Sequence, residues 1–291
     1  MRLSVSKLGL AWLLVLCFSC AASAKSMVFE VSRDGNTSYL GGTLHMLRES
    51  DYPLPAEFTG AYERSDVIVL ETDLSVSGHQ NAGDSMLAEF QLGPGITAQS
   101  MLTSENWGAL LEAGRKVGFP VELYSDKHPA FHGLTLLRLS SDMLGVVSGV
   151  DAHFFGKSQE DNKPVLHLET IQAQVDSLGS LMSIDPDEML TSTLNDAATL
   201  KTLLATLIGQ WKVGDTKSLT DELLVPMQDD SPDAYYSLIV DRNEQWMPQI
   251  KSMLKTPTTE FVLVGSAHLL GKHGLLKQLN DAGYQVRYFQ P

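Results

Sequence analysis

Cysteine is almost absent from this sequence of 291 residues, and both cysteines, Cys17 and Cys20, lie close to the amino terminus. The chain after Cys20 therefore has no thiol, which excludes disulfide bonds, a cysteine nucleophile and thiolate metal ligands there. Basic residues are also few, since 21 Lys and Arg face 35 Asp and Glu and give a formal net charge of −14. Nucleic acids and anionic lipids attract basic surfaces, so this balance argues against both as partners.

Long apolar runs are confined to residues 8–18. Arg2 and Lys7 precede that run, and Ala22-Ser23-Ala24 follows it as a small-residue cleavage pattern. We therefore predict a signal peptide over residues 1–24 and a periplasmic or secreted protein, with a lipid anchor at Cys20 as the alternative. The run is too short to span a bilayer, and no apolar run of 18 residues follows, so no stable membrane span is expected. After removal of the signal peptide, 19 basic and 35 acidic residues remain, a balance of −16.

Several catalytic motifs are missing as well. The sequence has no GxSxG nucleophile motif, no HExxH zinc motif and no P-loop. The segment GPGITA, residues 93–98, matches a dinucleotide-binding fingerprint only formally, because it has a proline in the turn and no clear strand before it. We interpret it as a turn before a helix.

Strand and helix patterns alternate at both ends of the chain. Two β-prone runs flank Asp34-Gly35, which predicts a hairpin, and a helix over residues 55–64 leads to a buried strand over residues 67–73. Further strands are predicted at residues 163–170, at TEFVLVG and at the end of the chain, and a loop or lid at residues 75–95. We predict an α/β fold over residues 25–291 as a single domain. Its central mixed sheet is built from two similar β-GxxH-α-β halves, with a largely helical insertion at about residues 80–160 and 172–255.

Two GxxH segments, Gly42-Thr43-Leu44-His45 and Gly265-Ser266-Ala267-His268, each follow a predicted strand. Ligands of open α/β sheets bind at the carboxyl ends of the strands, so both imidazoles are expected at one edge of the sheet. Glu71 and Glu169 end two further strand-like runs, VIVLE and VLHLE. Two imidazoles and a carboxylate are a common ligand set for a divalent transition metal.

We therefore predict that His45, Glu71 and His268 bind a metal (manganese, cobalt or zinc), with Glu169 as the general base for a metal-bound water. The assignment of the two glutamates could be exchanged. A histidine at a strand end is more often a hydrogen-bonded structural residue, so the prediction depends on four such residues occurring together. The other histidines rank lower. His79, His128 and His132 lie in loop-like sequence, His167 is expected to be buried and structural, and His153 has Asp151 close by.

The order of several segments resembles the TraB/GumN family, which is related to the Tiki metalloproteases of animals. The segments are YLGGTLHM, SDVIVLETD, GVDAHFFGK, KPVLHLETIQAQVDSL, DRNEQWMPQI and FVLVGSAHLLGKHGLL. The resemblance implies an α/β fold with paired GxxH motifs and, for the Tiki branch, a manganese- or cobalt-dependent peptidase. The motif positions it implies are His45, Glu71, Asp151, Glu169, Gln172, Arg242, Asn243 and His268.

Arg242 and Asn243 also stand out without the resemblance, because a cation and an amide side by side can orient a carboxylate or stabilise an oxyanion. An ion pair of Arg242 with Asp241 or Glu244 on a helix surface is the alternative. We expect a metal-dependent hydrolase, most simply a peptidase acting on a peptide or small molecule. A non-catalytic protein that binds a metal or a peptide and an esterase-like hydrolase are the alternatives, since fold alone does not define activity.

Overall fold

The computed structural model describes residues 25–291, so the predicted signal peptide and both cysteines lie outside the described residues. The strands are β1 (Val28–Arg33), β2 (Asn36–Thr43), β3 (Leu47–Arg48), β4 (Val67–Leu70), β5 (Val146–Ser148), β6 (Val165–His167), β7 (Glu260–Gly265) and β8 (Gln285–Tyr288). The helices of the first half are α1 (Ala56–Arg64), α2 (Val76–Glu89), α3 (Ala98–Met101), α4 (Ser104–Val117), α5 (Pro129–Met143) and α6 (Val150–Asp161). The remaining helices are α7 (Ile171–Gly179), α8 (Pro186–Lys212), α9 (Thr216–Leu223), α10 (Val225–Asp230), α11 (Pro232–Tyr235), α12 (Asp241–Met253), α13 (Ser266–Leu269) and α14 (Leu275–Asp281).

The hairpin between β1 and β2 turns at Asp34 and Gly35, which both have positive φ angles, of 52° and 89°. Two consecutive left-handed residues match the twist of the flanking strands, and an Asp-Gly pair adopts this conformation at little steric cost. The predicted hairpin is therefore confirmed.

Six strands form one mixed sheet in the order β6-β4-β7-β2-β1-β8. The strands β6, β4, β7 and β2 run parallel, whereas β1 is antiparallel to both β2 and β8. The predicted α/β class is confirmed. Thr43 at the end of β2 lies opposite Gly265 at the end of β7, so the two GxxH segments leave neighbouring strands at the same sheet edge.

The hydrophobic core lies between this sheet and the helices. All four residues of β4 are buried, as expected of a parallel strand covered on both faces. The long helix α8 is joined to the sheet by Trp211, whose Nε1–H donates to the main-chain oxygen of Gly42 at 2.7 Å. This contact ties the first GxxH segment to the helical part of the chain. A second apolar cluster, built mainly from α4, α5 and α8, surrounds Phe90, Phe119 and Phe131.

Some local predictions were wrong. The predicted loop or lid at residues 75–95 contains α2, a helix of 14 residues. Ser75 caps its start, and the Ser75 side chain accepts from the N–H of Gly78. The helical pattern of this segment is weak because α2 has few buried residues and two glycines. His167, predicted to be buried, is exposed because β6 is an edge strand, and His132 lies inside α5 rather than in a loop.

No helix among residues 25–291 is both long enough and apolar enough to cross a membrane.

Candidate active site

The segment that carries His45 is held in place by its contacts with the start of α6. Beyond β2, the short strand β3 pairs with β5, and the N–H of Val150 donates to the carbonyl oxygen of Leu44 at 3.1 Å. Gly149 lies directly beneath the histidine: a Cβ atom on Gly149 would be 2.6 Å from Cα of His45. The close packing of these two segments brings His45 next to the first turn of α6.

Nδ1 of His45 lies 3.1 Å from Oδ2 of Asp151, a residue in that first turn. The Asp151 carboxylate is the main cause that raises the pKa of His45, to about 9. The side chain of His45 is 58% exposed, so solvent screens part of this attraction. With Nδ1 directed at Asp151, Nε2 faces the cavity and forms no hydrogen bond with any described residue. This arrangement orients the imidazole and leaves one nitrogen free for proton transfer.

His268 is buried, and its hydrogen bonds fix its tautomer. The amide group of Asn243 donates to the main-chain oxygens of His268 and His273, each at 3.0 Å, so Oδ1 of Asn243 must accept from Nδ1–H of His268, at 2.8 Å. Nε2 of His268 then accepts from the Arg242 guanidinium at 3.1 Å. Burial lowers the pKa of His268 to about 3, which agrees with a neutral ring. Asn243 is fully buried behind His268, so its contacts position the imidazole.

Glu71, just beyond β4, accepts hydrogen bonds on both carboxylate oxygens. Oε1 accepts from the N–H of Gly265 at 2.7 Å, and Oε2 accepts from Arg242 at 2.7 Å and from Gln174 at 3.3 Å. Burial alone would raise the pKa of this carboxyl, but the nearby imidazoles and guanidinium and the Gly265 N–H together hold it well below its ordinary value. The carboxylate is therefore charged and fixed.

Arg242, in the first turn of α12, is the centre of this network. Its five N–H groups are all engaged: one with His268, one with the carbonyl oxygen of Leu238, and the rest with the carboxylates of Glu71 and Glu169. Trp246, four residues along the helix, lies under the guanidinium, 4.6 Å from its centre, and donates to Glu169 at 3.1 Å. The guanidinium is thus saturated, and it positions its neighbours.

Glu169 lies behind Arg242. Its side chain is 4% exposed, and both oxygens accept from Arg242. Burial raises the pKa of its carboxyl although the guanidinium opposes the shift. Among the residues that the structure describes, Glu169 is not part of the cavity wall. His45 therefore lines the cavity, whereas Glu169 does not.

A cavity of about 690 Å³ opens at this sheet edge. Its polar end is formed by His45, Glu71, Asp151, Arg242 and His268. The rest of its wall comes mainly from leucines and methionines of the helical segments between β6 and β7. Such a cavity, largely apolar with a few convergent polar groups, is typical of a ligand or active site.

Two polar residues of the site were not predicted from the sequence. Gln174 binds Glu71, and Trp246 binds Glu169; the i, i+4 spacing of Arg242 and Trp246 was the available signal. Gln172, which was predicted, is exposed and bonded to Ser85 and Asp176 away from the cavity. Of the other predicted residues, five form one hydrogen-bonded network: Glu71, Glu169, Arg242, Asn243 and His268. His45 and Asp151 form a separate pair on the wall of the same cavity.

The donors around the cavity suit a divalent transition metal in kind, because two imidazoles and a carboxylate lie within a few ångströms of one another. Their hydrogen bonds, however, are not those of a metal site. Nε2 of His268 and Oε2 of Glu71 are directed at Arg242, and no group of three His, Asp or Glu among residues 25–291 is arranged to hold a metal ion. As folded, the three residues do not fit a metal, and His45 is the one ligand candidate with a free nitrogen.

Fold and site together define an α/β protein with two GxxH histidines and a buried Arg–Glu network at the edge of a mixed sheet. A family profile described as the TraB/PrgY/gumN family matches residues 27–288, and the chain belongs to that family. It is also 24% identical over 257 residues to two proteins named "Uncharacterized protein YbaP", from Shigella flexneri and from Escherichia coli strain K12. The match covers 86% of this chain and 90% of each relative.

Proposed function

We propose that this protein is a hydrolase that cleaves a peptide or similar acyl bond, with His45 as the group that exchanges protons with the attacking water. One observation carries the proposal: His45 is oriented through Nδ1 by Asp151, and its Nε2 faces the cavity without a partner among the described residues. An imidazole held in this way by a carboxylate is a recurring general base.

In this reaction the neutral form of His45, which is the minor form below about pH 9, takes a proton at Nε2 from a water in the cavity as the water oxygen attacks the carbonyl carbon. The bond to the leaving group then breaks, and the proton passes from His45 to the leaving nitrogen or oxygen. The negative charges of Asp151 and Glu71 both favour the protonated imidazole that exists between these two steps. Arg242 holds the Glu71 carboxylate in place, and both Arg242 and His268 line the cavity.

Metal dependence remains a separate proposal, based on the sequence and on the family resemblance. A manganese, cobalt or zinc ion at His45, Glu71 and His268 would supply a water of lowered pKa. Binding it there requires Arg242 to give up its hydrogen bonds to Glu71 and His268. An exported, periplasmic location likewise rests on the signal peptide predicted for residues 1–24.

A non-catalytic binding protein is the second candidate. It is favoured by the saturated hydrogen bonds of Glu71, Glu169 and Arg242, which is the pattern of a structural network, and by the largely apolar cavity.

The test compares two single variants of exposed histidines on neighbouring segments. His45→Gln removes the proposed proton carrier, whereas His153→Gln changes a histidine of α6 that packs on Tyr52 and is not part of the cavity wall. Hydrolysis is measured with a pooled library of fluorogenic peptides and with amide and ester probes, together with elemental analysis of the purified protein. We expect the H45Q variant to lose at least about a hundredfold in kcat/KM and the H153Q variant to keep wild-type rates.

Turnover by the H45Q variant at the wild-type rate would overturn the proposal, and so would a wild-type protein that hydrolyses none of the probes. Activity that disappears on chelation and returns with Mn²⁺, Co²⁺ or Zn²⁺ would support the metal proposal.

A further inference from the structure

The cavity of about 690 Å³ extends well beyond the polar end formed by His45, Glu71, Asp151, Arg242 and His268. The wall away from the sheet edge includes six aliphatic or thioether side chains from six different segments: Leu74, Leu178, Leu204, Leu223, Met227 and Leu238. Among the described residues that line the cavity, none is a phenylalanine, tyrosine or tryptophan. The cavity is therefore amphipathic, with charged groups at one end and flexible hydrocarbon at the other.

The apolar end has few groups that can form hydrogen bonds. Ser177 lines it, but its hydroxyl already donates to the main-chain oxygen of Gln174 at 2.8 Å. Gln174 is itself bound to Glu71 and Thr72. A peptide main chain entering this end would bury N–H and C=O groups without partners, and each such group is costly to bury. A hydrocarbon chain has no such groups.

The wall also suits a flexible ligand. Methionine side chains adjust their rotamers readily and fill irregular space around apolar ligands, and Met227 lies in this wall. A rigid ring would find no aromatic partner for stacking among the lining residues that the structure describes. The volume of about 690 Å³ lies within the range of sites that enclose most of a molecule of drug size, which is far more than a single aliphatic side chain needs.

From the amphipathic cavity we infer the substrate class: an amide or ester of a long, unbranched aliphatic acid. The acyl chain lies along Leu178, Leu204 and Met227, and the carbonyl carbon lies beside Nε2 of His45. This inference rests on the proposed hydrolase function. Water adds to the carbonyl carbon, the C–N or C–O bond breaks, and the proton released by the water passes through His45 to the leaving group. The products are a long-chain carboxylic acid and an amine or alcohol.

Chain length is the variable that tests the inference. The probes are aminocoumarin amides and p-nitrophenyl esters of the C2, C4, C8, C12 and C16 straight-chain acids, at concentrations below micelle formation. We expect kcat/KM to rise about twofold to fourfold for each added methylene until the cavity is filled, because each buried methylene contributes favourably. A rate that does not change with chain length, or a preference for peptide probes over every acyl probe, would overturn the inference.

Binding is measured separately from turnover, so that the two proposals can fail independently. A fluorescent C11 fatty acid is titrated into the H45Q variant, which keeps the apolar wall. If the fatty acid binds saturably but the wild type hydrolyses no probe, the aliphatic site is supported and the hydrolase proposal is contradicted. If peptide probes are hydrolysed but the fatty acid does not bind, the hydrolase proposal is supported and the aliphatic site is contradicted.

Met227→Trp places a bulky ring in the apolar end. We expect it to lower the C12 to C2 ratio of kcat/KM at least tenfold and to weaken fatty-acid binding similarly. Leu123→Trp is the matched control, because Leu123 is 78% exposed and does not line the cavity. Equal ratios in both variants would contradict the proposed position of the chain.

Discussion

Gly149 packs so closely against His45 that a side chain at position 149 would clash with the main chain of His45. An added Cβ on Gly149 would lie 2.6 Å from Cα of His45, 2.8 Å from its carbonyl carbon and 2.6 Å from Oδ1 of Asp151. The absence of a side chain at residue 149 is thus what allows the His45 segment to pack on the first turn of α6. The pairing of His45 with Asp151 depends on this close approach.

Gly149→Ala should therefore displace His45 from Asp151. We expect a loss of about 1–3 kcal/mol in the free energy of unfolding and a larger proportional loss of any hydrolytic activity, because the new methyl group forces two segments apart. Urea denaturation and kcat/KM are the measurements. Gly156→Ala, on the same helix, is the control, since nothing lies within 4 Å of the added Cβ. It should be neutral or stabilising by up to about 1 kcal/mol. If both variants unfold alike, the close contact does not hold the site.

Asn243→Ala tests the fixed tautomer of His268. The substitution removes three buried hydrogen bonds and leaves two carbonyl oxygens and Nδ1 of His268 without their partner. We expect a loss of about 2–4 kcal/mol in the free energy of unfolding, by urea denaturation. Nitrogen NMR shifts of His268 should show the Nδ1–H tautomer in the wild type. Asn280→Ala, on the exposed side of α14, should change the stability by less than about 0.5 kcal/mol. An Nε2–H tautomer in the wild type would contradict the network.

Arg242→Met leaves the buried carboxylates of Glu71 and Glu169 without their cation. We expect this variant to lose about 3–5 kcal/mol of stability, because an uncompensated buried charge is costly. Adding Glu169→Gln removes one of the two charges, so the double variant should be more stable than Arg242→Met alone. The measurement is a double-mutant cycle: the free energy of unfolding is determined by heat and by urea for the wild type, both single variants and the double variant. Simple additivity of the two single effects would show that Arg242 and Glu169 are not coupled.

The placement of the two GxxH segments and Glu71 at strand ends could be predicted from the sequence. A GxxH segment at the end of an apolar run could be assigned to the carboxyl end of a strand, and Glu71 followed from VIVLE in the same way. These predictions succeeded because strand ends are defined locally, by apolar runs and glycines, and because parallel strands bring their carboxyl ends to one edge.

The roles within the site could not be read from the sequence. Glu169 ends its run as Glu71 does, but α12 brings Arg242 and Trp246 over it and removes it from the cavity wall. The relation of a distant helix to a strand end depends on packing, for which the sequence gives no local signal. Gln172 and Gln174 lie on different faces of α7, and the residue at which α7 begins determines which of them faces Glu71.

Acid should destabilise the protein through His132, which lies inside α5 among Phe119 and Phe131 and is fully buried. Burial lowers the pKa of this imidazole to about 4, although the main-chain groups of Tyr124 and Lys127 oppose the shift. In the unfolded chain a histidine titrates near pH 6.5, so between about pH 6.5 and 4 the unfolded state binds the proton and the folded state does not. The stability contributed by the neutral ring is therefore complete above about pH 6.5 and decreases as the pH falls.

The expected decrease is about 1.4 kcal/mol per pH unit, or about 3 kcal/mol in total by pH 4. His132→Phe replaces the imidazole by a ring that cannot take up a proton, and it should reduce the slope of stability against pH in urea unfolding across this window, whatever its effect on stability at pH 7. The slope that remains includes the contribution of His268, whose pKa burial also lowers. His79→Gln is the control, because His79 is exposed on α2 and its loss should leave the slope as in the wild type. A slope between pH 6.5 and 4 that is equally steep in the His132→Phe variant would assign the acid sensitivity to other groups and would mean that His132 is protonated without loss of the fold.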